Sequence, residues 1–255
     1  MKVNFGGAVS RGWKFAKNAQ RLTVQFLICT IAVMLVLLPV VFLYRNITIG
    51  ALQSSALVQS YVWLFVALVV IILLLTYSTL MFMHNYANQK ALGKSAGYAK
   101  VKYVRFFLAM MIVGLISFVA DIVPFVGFIF SFVISLIFFF VQQEIAVRNS
   151  GLSKSFSNSY AIFKRNWFKV FLTLIISGLL GLLVIIVFAI PLFAVMFATI
   201  GPAIASGQFV PALLANLPLF IATGLILLVG VALATLWIIG IKTDVYMQLK
   251  KGKKK

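Results

Sequence analysis

Long unbroken apolar runs set the pattern of this chain, and their length decides what they are. Residues 22–44, 61–83, 106–123, 124–147, 170–200 and 219–241 form six stretches almost without charge. A bilayer's hydrocarbon is about 30 Å thick, so a helix that crosses it needs about 20 apolar residues. Between Val170 and Ile241 no charged residue occurs at all, which accommodates two spans and a neutral connection. Runs such as 69–75 and 136–141 lack the alternation of a membrane β-barrel strand. Backbone groups in lipid must bond internally, so helices are predicted throughout. The expected fold is all-α: a polytopic membrane bundle of six helices. Residues 1–249 read as one membrane domain and 250–255 as a lysine-rich tail. The third and fourth spans meet at Pro124, which predicts a tight hairpin, with a re-entrant pair over 106–147 as the alternative.

Composition agrees with this pattern. Of 255 residues, 64% are apolar and 10% charged, with a mean hydropathy of +1.15. A soluble domain carries close to half apolar and about a quarter charged residues. The charge is one-sided: 22 Lys and Arg face only Asp121, Glu144 and Asp244. Every basic residue except Arg45 flanks the same predicted face, which by the positive-inside rule puts both termini in the cytoplasm. The plasma membrane is the expected location. The first apolar run is about twice the length of a secretory h-region, so it reads as a retained span. Asn46-Ile-Thr48 forms a sequon close to the membrane edge and carries little weight.

Each basic segment precedes a hydrophobic hairpin. Ser10-Arg-Gly-Trp13-Lys-Phe-Ala-Lys17, Ser95-Ala-Gly-Tyr98-Ala-Lys-Val-Lys102 and Ser157-Asn-Ser-Tyr160-Ala-Ile-Phe-Lys164 share S-x-[GS]-[WY]-x-x-x-K. A second register aligns Leu92-Gly-Lys-Ser95 with Leu152-Ser-Lys-Ser155, two residues away from the first. Both point to a threefold plan of basic helix plus hairpin. The third segment predicts an interfacial helix with Leu152, Phe156, Tyr160, Phe163 and Trp167 on one stripe, opposed by Lys154, Arg165 and Lys169. The first does so with Phe5, Val9, Trp13 and Ala16 against Arg11, Lys14 and Lys17. Candidate contacts with anionic lipid or a protein partner are therefore Arg11, Lys14, Lys17, Lys94, Lys102, Lys154, Lys164, Arg165 and Lys169. The short tail suits lipid headgroups, and no specific nucleic-acid partner is expected.

The phrase Leu152-Ser-Lys-Ser-Phe-Ser-Asn-Ser-Tyr-Ala-Ile-Phe-Lys-Arg-Asn-Trp-Phe-Lys169 resembles that of an uncharacterised family of prokaryotic multi-pass proteins. A similar domain forms the membrane region of some glycerophosphoryl diester phosphodiesterases. The resemblance implies the architecture alone, since phosphodiesterase chemistry belongs to a separate soluble domain.

Candidate chemistry is sparse. His84 is the single histidine, expected at a hydrated boundary, and Cys29 reads as a small apolar residue, so metal clusters and most nucleophile–base mechanisms lack parts. Gly93-Lys94-Ser95 misses the glycine of a phosphate-binding loop, because residue 88 is asparagine. Intramembrane acids are functional candidates by default. Asp121 is expected to cap the hairpin, Glu144 to pair with Arg148 one turn on, and Asp244 to be solvated. Small residues predict helix contacts at Gly127, Ser131 and Ser135, at Ser177, Gly178 and Gly181, and at Gly230 and Ala234. Pro191 is expected to kink or divide the fifth span. The reading is a non-enzymatic scaffold or accessory subunit without cofactors. The alternatives are a small permease or channel, and, behind it, an intramembrane lipid enzyme.

Overall fold

A computed structural model describes residues 3–48, 54–123, 126–205, 212 and 215–251, and among them there is no strand. The helices are α1 (Phe5–Ala16), α2 (Ala19–Thr48), α3 (Ser54–Asn88), α4 (Leu92–Asp121), α5 (Gly127–Ile137), α6 (Val141–Arg148), α7 (Leu152–Ala205) and α8 (Leu217–Lys251). Six segments are long and apolar enough to cross a membrane, as the sequence predicts. Pro124 and the last four residues lie outside the described residues, as do the side chains of the 46–48 sequon.

α8 forms the axis, packed against α1, α2, α3 and α7, while α4 packs on α3, α5 and α6. Its 35 residues make a rod of about 52 Å, well beyond about 30 Å of hydrocarbon. The apolar part ends at Ile241, so the last turns of α8 project beyond it. Lys250 and Lys251 belong to this helix and not to a tail.

Close approach depends on glycines. A Cβ on Gly181 would fall 2.5 Å from Ile238 Cδ1, and one on Gly230 would overlap Phe188, so α7 and α8 meet backbone to side chain. Gly178 faces open space, which narrows the predicted contact surface to Gly181 and buried Ser177. A Cβ on Gly127 would fall 2.5 Å from Ala120 O, so only glycine fits the α4–α5 turn. Ser131 reaches across that turn to Asp121, at 3.4 Å, whereas Ser135 is exposed and takes no part.

The basic segments depart from the expected interfacial helices. Only α1 is separate, ended at Lys17, with Asn18 accepting the Arg21 amide in the next turn. The second segment runs without a break into the third span as α4. Its buried Ser95, Ala99, Phe106 and Ala109 keep one inward stripe across the join. The third runs into the fifth span within α7, and the non-helical torsion there is Asn166 (φ −138°). The chain stays helical through Pro191, so the predicted break falls 25 residues earlier than expected. Leu92 opens α4 and Leu152 opens α7, and Ser95 and Ser155 are both fully buried. The second of the two repeat registers is therefore the structural one.

The fourth span is itself discontinuous. α5 ends at Ile137 and α6 starts at Val141, leaving Phe138–Phe140 as turns. Ser159 of α7 closes the gap: its hydroxyl accepts from Phe140 N at 3.2 Å and donates to Ile137 O at 2.9 Å. Both backbone groups freed by the break are thus paired by one buried side chain.

Candidate functional site

The polar chemistry gathers at one end of the bundle, where α1, α6, the end of α3 and the start of α7 meet the end of α8. Asp244, expected to be solvated, is only 6% exposed. It accepts from Arg11 Nε at 2.9 Å and Nη2 at 2.7 Å, from Tyr86 Oη at 3.1 Å and from Gln248 Nε2 at 2.6 Å. Burial alone would raise the Asp244 carboxyl, but Arg11 and Gln248 hold it below its ordinary value. In return, Asp244 raises the Arg11 guanidinium. The same crossing carries Trp237 Nε1 to Val9 O at 3.0 Å and the Trp13–Trp237 ring contact at 4.7 Å. Asn4 caps α1 through the Gly7 amide and bonds Gln248 by its own N–H. Gly12 and Gly240 allow the approach, since a Cβ on Gly240 would lie 2.7 Å from Gly12 Cα.

Glu144 has no exposed surface, and its partner is not Arg148. Lys250 Nζ lies 2.5 Å from Oε1, while Ser150 Oγ and Asn158 Nδ2 donate to Oε2 at 3.2 and 3.0 Å. An i,i+4 pairing within α6 would hold the carboxylate at the helix surface. Instead α6 turns it inward, and the left-handed Asn149 (φ 54°) closes the helix so that Ser150 returns to it. His84 is likewise buried and not hydrated: it stacks on Tyr98 at 3.9 Å, with Nδ1 3.2 Å from Ser95 Oγ. That nucleophile–base pair is sealed, with Ser95 at 0% exposure. Among the described residues no three His, Cys, Asp or Glu side chains converge as metal ligands.

The candidate lipid-facing cations separate into two groups. Arg11 is consumed by Asp244, Lys17 leans over the Trp13 ring at 5.6 Å, and Lys169 bonds Asn166 Oδ1 at 3.4 Å. Lys14, Lys94, Lys154, Lys164 and Arg165 are exposed, and Lys102 is half-buried. Beside Lys164 and Arg165, at the Asn166 kink, Trp167 and Phe168 are also exposed. The buried stripe of this arm is Ser155, Ser159 and Ile162, so Tyr160 and Trp167 leave the predicted stripe for the outer face.

A family model described as a domain of unknown function (DUF7847) matches residues 91–249, more than half of the chain. Neither the curated proteins nor the solved structures yield a match.

Proposed function

We propose that this chain, which belongs to the DUF7847 family, is a non-enzymatic multi-pass protein of the plasma membrane. Both termini face the cytoplasm, and the exposed basic arm of α7 holds anionic lipid. The protein thereby acts as a scaffold or accessory subunit. The single observation that carries this is the cluster at the Asn166 kink. Lys164 and Arg165 are exposed there beside exposed Trp167 and Phe168, and Lys154 is exposed farther back along the same arm. Aromatic rings at the level where an arm meets its span, next to uncompensated cations, suit a headgroup layer. Two of the three acids are occupied internally by Arg11 and Lys250, so they do not neutralise this face. The likeness to the membrane domain of phosphodiesterase fusions belongs to this same reading. A transport role is the second reading, favoured by the broken α5–α6 span, because discontinuous helices line many transport sites.

The test is the anionic lipid retained by the full chain. Each cation near an anionic surface contributes about 1 kcal/mol. Replacing Lys154, Lys164 and Arg165 by Gln should therefore weaken retention by at least about tenfold in nanodiscs containing phosphatidylserine or phosphatidylglycerol. Retention equal to that of the unmodified chain, by native mass spectrometry, refutes lipid binding by this arm. A stoichiometric co-purifying protein lost in the same variant would assign the arm to a partner instead.

A further inference from the structure

A fully buried carboxylate needs a cation, and Glu144 obtains one from the last turn of the chain's last helix. Lys250 reaches it from α8, with its side chain 10% exposed. The two carboxylate oxygens are not equivalent. Oε2 is filled by two neutral donors, Ser150 and Asn158. Oε1 receives only the ammonium. Tyr246 sits one helical turn before Lys250, 1% exposed, and its hydroxyl has no hydrogen-bond partner among the described residues. Burial and then the Glu144 charge hold that phenol protonated. A buried carboxylate with one oxygen filled by neutral donors and the other left to a cation is a preformed cation site.

We propose that Glu144, positioned by Ser150 and Asn158, forms a primary-ammonium site that the chain's own Lys250 fills. A single carboxylate balances a single positive charge. A divalent ion would leave a net buried charge, at high cost. Two oxygens are too few to replace the hydration shell of a metal ion, which takes six or more. An –NH₃⁺ group needs only a few acceptors, and Oε1 takes the ammonium here. A primary amine of the same class, from solution or from an ethanolamine headgroup, takes the site once the Lys250 ammonium is removed.

The experiment is chemical rescue in the full chain, purified in detergent. Lys250→Met keeps the aliphatic stem and removes the ammonium. Its melting midpoint should fall by about 5–10 °C. Methylammonium chloride should restore at least half of that shift, saturably. Tetramethylammonium chloride, which has no N–H, should restore none at equal ionic strength. The unmodified chain should respond to neither salt. Glu144→Gln combined with Lys250→Met should be more stable than Lys250→Met alone and should not respond to methylammonium. If Lys250→Met does not survive extraction in potassium chloride, the readout becomes its monodisperse yield when extracted in methylammonium or tetramethylammonium chloride. Nanodiscs of phosphatidylethanolamine or phosphatidylcholine distinguish the headgroup source: rescue only in the former assigns the amine to lipid. An undisturbed Lys250→Met midpoint, equal effects of the two salts, or rescue that persists without Glu144 would overturn the site.

Discussion

Gly240→Ala is the sharpest probe of how α1 is held. The new Cβ would lie 2.7 Å from Gly12 Cα, whereas nonbonded carbons settle at roughly 3.5–4.0 Å. Helices α1 and α8 must therefore part by about 1 Å. The bonds across this crossing have little slack. Arg11 lies at 2.9 and 2.7 Å from Asp244, and Trp237 Nε1 at 3.0 Å from Val9 O. Adding that separation takes each past the useful range of a hydrogen bond. Overpacking of this kind costs about 1–3 kcal/mol. The loss of the Trp237 bond adds about 1 kcal/mol. Arg11 is half exposed, so its pair adds at most about 1 kcal/mol after solvent screening. The total is about 2–5 kcal/mol, which lowers the melting midpoint of a chain this size by roughly 4–20 °C. The assay is a thermal melt in one detergent followed by tryptophan emission, since the Trp13 ring packs against Trp237 at 4.7 Å, tilted by 55°, and reports docking of α1. Gly224→Ala, in the same helix but facing open space, is the control. A Gly240→Ala midpoint no lower than that of Gly224→Ala, with unchanged emission, refutes the close crossing.

Two further outcomes follow from the same end of the molecule. Ser159→Ala should strand Phe140 N–H and Ile137 C=O, at about 1–3 kcal/mol for each buried group. Amide exchange should then rise at 138–141 and not at the end of α8, and uniform protection would refute the plug. Asp244 has its folded value depressed, so its stabilisation is complete above its unfolded value, about 3.9, and is lost as pH falls through the lower folded value. The midpoint should be level near neutrality and drop in acid, and Asp244→Asn should remove part of that drop. An identical acid limb in both proteins would refute it.

What the sequence exposed, and what it hid, divides along a physical line. Span number and helical class depend on run length, which is local, so they were legible. The inward faces depend on which residues allow backbones to approach, and there a search for bulky stripes misled. In α1 the stripe of Phe5, Val9, Trp13 and Ala16 reads as the face an interfacial helix turns to the headgroup layer, yet the residues with least exposure, Ala8, Gly12, Phe15 and Ala16, form a different face that packs into the bundle. In the arm of α7, Ser155 and Ser159 go inward while Tyr160 and Trp167 go out. The two errors share a cause. At both places the inner face is set by close backbone approach and satisfied polar groups, which select Gly, Ala and Ser over bulk.

The ion pairs were hidden for a different reason. Arg11 and Asp244 are 233 positions apart, and nothing local joins them. The i,i+4 rule offered Glu144 a partner in Arg148 because it considers one helix at a time, whereas the buried carboxylate answers to whichever cation the fold delivers. Scarcity was the usable signal. With three acids among 22 cations, an acid placed inward has cations available from every neighbouring element. Keeping such an acid requires structure around it. Asp244 binds α1 to α8, and Glu144 binds α6 and α7 to the end of α8. Both pairs thus tie the projecting end of α8 to the arms that surround it, and leave the exposed lysines of those arms to act outward.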